Sequence, residues 1–466
     1  MRIILCLLLI TFSLQATSDS LVISGEPYEI LSSRDRRLSG VLSKPVFSPF
    51  PSRLISFERQ DGSDHFLHIY DLGAEQLFEI TMTETSEGEG FSEAKSNAFY
   101  SGQIDWRPQL DKNGNQWFTF VSNADGDNRN IYVGSVGQNT YLQLSNAPGE
   151  HYSPRWSPDG KSIAYISSAT GAGDIYLLEN VAEAIEKRDL TKLRRKQLTA
   201  NPFEELDIAW NPDPKARLLA YSRLQQFPGR EISTFQIHVL DLAKDEDNIY
   251  RVTDDPLADY TKPQWDPHKA ARLLYIGQSV TGTGTANLYV TELAWGDGRR
   301  LRNKDLEGYK TEVFKNIELV GSRAVWLEGG RSILCQSSLE SENDPLYAVN
   351  VERWLNKEEN AVLYMSDLQR RFPRVSEFAS RSRNLMVIAE RGGYSRLYLA
   401  MLEGKDVETR KENFALSSPS RVSWGKYLIS AGLVTAAGAT TWLLINRNSE
   451  GDDSPVPIGL PPNLPN

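Results

Sequence analysis

Residues 153–178 read S-P-R-W-S-P-D-G-K-S-I-A-Y-I-S-S-A-T-G-A-G-D-I-Y-L-L. Physically this is three short strands joined by two hairpins. Tyr152 to Trp156 runs out to an aromatic anchor. Ser157-Pro158-Asp159-Gly160 has turn chemistry: a side-chain acceptor first, Pro presetting φ second, Gly permitting positive φ fourth. Ser162 to Ser167 alternates around Ile163 and Tyr165. Gly171 to Asp174 then turns the chain into Ile175-Tyr176-Leu177. Three strands with one apolar face cannot bury themselves alone, so the unit calls for company.

The chain supplies it. An anchor aromatic recurs as Phe47, Trp106, Trp156, Trp210, Trp265, Trp326 and Phe378, at spacings of 59, 50, 54, 55, 61 and 52 residues. A second marker follows each anchor: Ile69-Tyr70, Ile131-Tyr132, Ile175-Tyr176, Ile237-His238, Leu288-Tyr289, Leu346-Tyr347 and Leu397-Tyr398. A fourth strand shows as Gln143-Leu144-Ser145, Gln197-Leu198-Thr199 and Arg251-Val252-Thr253. Four-stranded units of about fifty residues fit the blades of a β-propeller. The fold class is therefore all-β, a propeller of seven four-stranded blades over 21–418, with six or eight as the alternatives. Closing the ring removes open sheet edges. Tyr28-Glu29-Ile30-Leu31-Ser32 from the N-terminus and Phe414-Ala415-Leu416-Ser417 from the other end compete as the closing strand.

The units resemble those of the TolB-type propeller family, whose repeat carries W-S-P-D-G-K, then I-A-Y, then D-I-Y. Trp156 to Lys161, Ile163 to Tyr165 and Asp174 to Tyr176 carry the likeness, which extends over roughly residues 40–402. The resemblance implies the fold; the same repeat serves scaffolds, peptidase propellers and lyases. TolB itself is similar to a six-bladed ring behind an α/β domain, neither of which this pattern of seven markers reproduces.

The ends suggest export and anchoring. Met1-Arg2, the apolar run Ile3 to Leu14 and Ala16 form a signal peptide over 1–16. Tyr427 to Ile445 carries no charge, has Tyr427 and Trp442 near its ends, and is long enough for a transmembrane helix over 427–446. The tail 447–466 is acidic and then Pro-rich, a composition that stays disordered. These segments predict a single-pass protein with its propeller in the periplasm or outside the cell. With Cys6 removed, Cys335 is the remaining cysteine, so packing and not disulfides must stabilise the ring.

The net charge of −10 argues against nucleic acid as a partner. No H-E-x-x-H, Walker loop, G-x-G-x-x-G, paired C-x-x-C or G-x-S-x-G occurs. The run Asn123-Ala-Asp-Gly-Asp-Asn lacks EF-hand spacing and reads as a turn. No metal or other cofactor is expected. The loops S-N-A-P-G-E-H-Y, T-A-N-P-F-E-E-L and T-D-D-P-L-A-D-Y place Glu150, Glu204 and Asp259 comparably, with His151 beside the first. These four are the candidate ligand- or cation-binding residues at the channel mouth; turn capping is the structural alternative. Ala182 to Lys196 reads as a helical insert whose Arg194, Arg195 and Lys196 face solvent, acidic lipid or a partner. The sequence favours a membrane-tethered, non-catalytic scaffold for an envelope protein, peptide or glycan. The alternative is an envelope hydrolase or lyase with its site in the channel.

Overall fold

A computed structural model describes residues 21–404 apart from 50–52, 81–99, 125–127, 137, 245–247, 282–285, 294, 297–299, 302–309, 313–318, 328–329, 338–345, 357, 359–360 and 373. The signal, the predicted span 427–446, the tail 447–466 and Phe414 lie outside these residues. Among the described residues no helix is long and apolar enough to cross a membrane.

Seven four-stranded antiparallel sheets follow one another along the chain. Their first strands are Val41–Phe47, Ser101–Trp106, His151–Trp156, Glu205–Trp210, Ala258–Trp265, Leu319–Trp326 and Val375–Arg381. Most neighbouring first strands touch, which places them innermost, around the channel. The apolar core lies in the seams between blades. Val121, Ile131 and Val133 of blade two meet Trp156, Ile163 and Tyr165 of blade three, whose Ala164, Ile166 and Ile175 in turn meet Leu219, Tyr221 and Leu240 of blade four. Cys335 is buried in the seam between blades five and six.

The closing strand is N-terminal. Val22–Ser32 pairs with Tyr394–Glu403 as the outermost strand of blade seven, with Tyr28 opposite Leu399 and Ser32 opposite Arg396. The insert after the third strand of blade three is a helix at Val181–Lys187 and a 3-10 turn at Leu190–Lys192. Arg194–Gln197 then forms that blade's outer strand.

The opening motif does two jobs. Gly160 N–H donates to Ser157 O at 2.8 Å with φ +64°, as the turn requires. The same turn is gripped by blade two: Arg107 Nε donates to Gly160 O and Gln109 Nε2 to Pro158 O, each at 2.9 Å. A Cβ at Gly160 would sit 2.1 Å from Gln109 Oε1. The Gln-Leu-Ser and Gln-Leu-Thr signatures also resolve. Ser145, Thr199 and Thr253 Oγ accept from Ile131, Ile175 and Ile237 N–H at 2.8–2.9 Å, tying each outer strand's end to the third strand.

The anchors form an inter-blade relay. Trp210 Nε1 donates to Arg155 O, Trp265 Nε1 to Ala209 O and Trp326 Nε1 to Gln264 O, at 3.0–3.2 Å. Each acceptor immediately precedes the anchor of the blade before. Two sequence markers shift in register. Blade seven holds Ser380 at the anchor place, opposite Leu385, with its Oγ donating to Trp326 O at 3.0 Å. In blade one the place of Tyr176 is taken by His68, not Tyr70, because Phe57 pairs with His68 as Tyr165 pairs with Tyr176.

Trp265→Phe keeps a ring in the seam but abandons the Ala209 carbonyl. It should cost about 1 kcal/mol more than Trp156→Phe, whose Nε1 makes no hydrogen bond among the described residues. Denaturant unfolding of the two variants measures the difference; equal losses would show that the relay adds nothing.

Candidate functional site

The channel is built from an irregularity repeated in the first strands. Three residues before the anchor, Lys44, Gln103, Ser153, Asp207 and Lys262 have φ of +49° to +58°, and each sits at a register shift against the second strand. These are β-bulges that re-aim the strand. A non-glycine residue in this region costs about 1–3 kcal/mol, and persists when its surroundings hold it. The neighbouring blades provide that hold. Gln103 Oε1 accepts from Ser153 N–H at 2.6 Å, and Asp207 Oδ2 from Lys262 N–H at 3.0 Å. Glu377, at the same place in blade seven, accepts from Lys44 N–H at 3.0 Å. Lys44 cannot accept, so buried Glu58 substitutes: it takes Gln103 N–H at 2.7 Å and Lys44 Nζ at 2.8 Å.

Arg323 occupies the equivalent place in blade six and donates to Gln336 Oε1 at 3.1 Å. One residue before the anchor, Asp105 of blade two accepts from Trp156 N–H at 2.7 Å. Burial pushes its carboxyl up to about 6, against the pull of Arg155. The ring's carboxylates are thus committed to backbone amides. Arg155, Lys262 and Arg323 have no carboxylate within ion-pair distance among the described residues.

Glu150, Glu204 and Asp259 each stand six residues before their anchors, at the head of successive inner strands. No hydrogen bond joins them to one another. Glu150 lies 3.6 Å from Arg129 Nε and accepts from its N–H at 3.4 Å, while Asp259 accepts from Phe235 N–H at 2.8 Å. Both therefore reach back to the preceding blade, Asp259 to its third strand and Glu150 to the residue just before it. Glu204 is half-buried, its carbonyl accepts from Leu224 N–H at 2.9 Å, and its charge acts on Tyr152. His151 is fully buried, with Nε2 donating to Ala147 O at 2.9 Å and its ring edge-on to Tyr165. Burial holds its pKa below the ordinary value. His68 and His238 are likewise interior, against Phe57 and Tyr221, and burial pushes them down to about 4 and about 3. Among the described residues no cluster of three His, Cys, Asp or Glu is arranged to hold a metal ion.

The carboxylate that sequence reasoning passed over is Glu205. It stands five before its anchor, where Leu42, Ser101, His151 and Tyr260 are also buried. Thr199 Oγ1 and Asn201 Nδ2 donate to it at 2.5 and 2.7 Å. Burial pushes it up to about 7; Asp174 adds to the rise, while the two hydrogen bonds and Arg223 oppose it. The signal was present as the doubled Glu204-Glu205, but the bulge decides which of the two turns inward.

No family model matches the sequence, and no curated protein matches it. Solved structures with similar folds include an oligogalacturonate lyase in complex with manganese, 14% identical with a TM-score of 0.52, covering 84% of this chain and 99% of that one. A puromycin-hydrolysing peptidase of Mycobacterium tuberculosis is 14% identical with a TM-score of 0.53, covering 85% and 56%. TolB of Acinetobacter baumannii is also among them, 14% identical with a TM-score of 0.36, covering 74% and 78%. At these identities the two likenesses with TM-scores above 0.5 show the fold alone.

Because Glu205 binds its proton more tightly when folded, its contribution to stability is full below about 4.5 and declines as pH rises through about 7. Glu205→Gln should flatten the fall in melting temperature between those values. An unchanged profile would show that Glu205 does not carry it.

Proposed function

We propose that this protein is a membrane-tethered, non-catalytic propeller at the cell envelope that binds a protein, peptide or glycan. What carries this reading is the inner ring. Its half-exposed polar side chains stand on strained, cross-bonded bulges, so a partner meets a preorganised surface and ordering it costs little. The carboxylates there hold backbone amides, and the three interior histidines pack against aromatic rings as neutral groups. The cations Arg155, Lys262 and Arg323 remain open to a partner. The 1–16 signal and the 427–446 span supply export and tether, leaving the propeller in the periplasm or outside the cell.

A second reading, a channel hydrolase or lyase, draws on Asp105. A largely buried carboxyl whose pKa burial raises to about 6, beside Arg155, has the properties of a general acid. The fold neighbours include enzymes of both kinds.

Tagged full-length protein in detergent should recover a specific partner from envelope extract. Lys262→Gln, a change at an exposed side chain, should reduce recovery at least about fivefold, the equivalent of ~1 kcal/mol, with the melting temperature unchanged. Recovery no better than with an unrelated propeller argues against the scaffold. Turnover of an envelope substrate that Asp105→Asn abolishes would establish the enzyme instead.

A further inference from the structure

The outer rim of blade three is a basic island on an acidic chain. Its outermost strand, Arg194–Gln197, exposes all four side chains, and among the described residues no strand pairs beyond it. Lys187 and Arg188 at the helix end and Lys192 in the 3-10 turn precede it, all exposed. The local carboxylates are mostly engaged. Glu183 pairs with Lys187 at 2.6 Å, Asp189 lies 3.9 Å from Lys192, and Glu186 faces Lys112 and Arg107 of blade two at 3.8 and 4.0 Å. Glu179 stands opposite Arg194 in the strand register without an ion pair between them. Arg188, Arg194, Arg195 and Lys196 have no carboxylate within ion-pair distance among the described residues. The Arg195 guanidinium lies over the Tyr176 ring, 4.6 Å from its centroid, which fixes its place at the rim. At the tip of this cluster Leu190 is 42% exposed.

We propose that this rim rests on an anionic lipid surface, with the cations against headgroup phosphates and Leu190 at the acyl boundary. Cations at a rim attract any polyanion, but an exposed leucine set among them is the pattern of an interfacial contact. An acidic polypeptide would leave that leucine in water. The proposal rests on the tethered reading. Between Gly404 and the predicted span lie residues 405–426, a stretch that extends to about 80 Å at most. A domain of this size has a radius of gyration of about 21 Å. Blade three can therefore turn to the bilayer although the chain leaves from blade seven.

The test uses full-length protein reconstituted into phosphatidylcholine vesicles with and without phosphatidylglycerol. Hydrogen exchange across Leu190–Gln197 is the readout. Exchange should slow about tenfold on the anionic vesicles and return to the neutral-vesicle rate in high salt. Arg188→Ser, Arg194→Ser and Lys196→Ser combined should abolish the slowing, and Leu190→Ser should reduce it; all four side chains are exposed, so folding is preserved. Equal exchange on both vesicles overturns the proposal. So does equal slowing by soluble polyglutamate on neutral vesicles, which would make an acidic polypeptide the partner. Co-sedimentation separates the two readings: protein that binds anionic but not neutral vesicles loses the tether and keeps the rim, and protein that binds neither loses both.

Discussion

The ring depends on how blades seven, one, two and four capture the backbone of the next blade at its innermost strand. Sheets packed face to face around an axis crowd most tightly there, and the first strands answer with a bulge. At Lys44, Gln103, Ser153, Asp207 and Lys262 the backbone enters a region that L-residues avoid, which turns one N–H away from its own sheet. An amide turned from its own sheet needs another acceptor. A side chain from the neighbouring blade therefore becomes the acceptor: Glu377 for Lys44, Glu58 for Gln103, Gln103 for Ser153 and Asp207 for Lys262. Strain and capture are one device. The indole relay from Trp326 through Trp265 to Trp210 repeats the logic a layer further out.

This device governs where chemistry can sit. A strand alternates its faces, so positions two, four and six before the anchor would share one face. The extra residue in the bulge breaks that parity. Position two stays inward, as Ile104, Pro154 and Ile208 show, and position five joins it, as Ser101, His151 and Glu205 show. Ionisable side chains at position five are therefore taken out of water and shift their pKa values towards the neutral form. Those at positions one and three keep partial exposure, although Asp105 at position one is buried enough to shift the same way.

The architecture was legible because its signals are local and repeated. Turn chemistry at Ser157 to Gly160, the anchors, and the hydroxyls of Ser145, Thr199 and Thr253 each follow from one residue type at one place. The closing strand was legible as one of two candidates, since Tyr28 to Ser32 has the strand pattern but its partner is more than 350 residues away in the chain. The candidate site was less legible. Lys, Gln, Ser and Asp at the bulges carry no glycine to announce positive φ, because the strain is relieved by residues of another blade. Nothing in the local sequence separates Glu204, half-buried, from Glu205, fully buried. For the same reason His151 reads as a ligand and folds as an interior side chain.

The position of the closing strand also determines how the ring meets a pull from whatever follows Gly404. The last described strand, Tyr394–Glu403, is not an edge: Val22–Ser32 pairs with it on one side and Asn384–Arg391 on the other. Force along this strand loads both ladders in shear, so many hydrogen bonds must yield together. Closure from the C-terminal side would have made the outgoing strand the outermost one, held by a single ladder. Arg396 to Glu29 at 2.7 Å and Ser24 to Glu403 at 2.6 Å add side-chain links across the same junction. N-terminal closure thus places the last described strand inside its sheet, held on both sides.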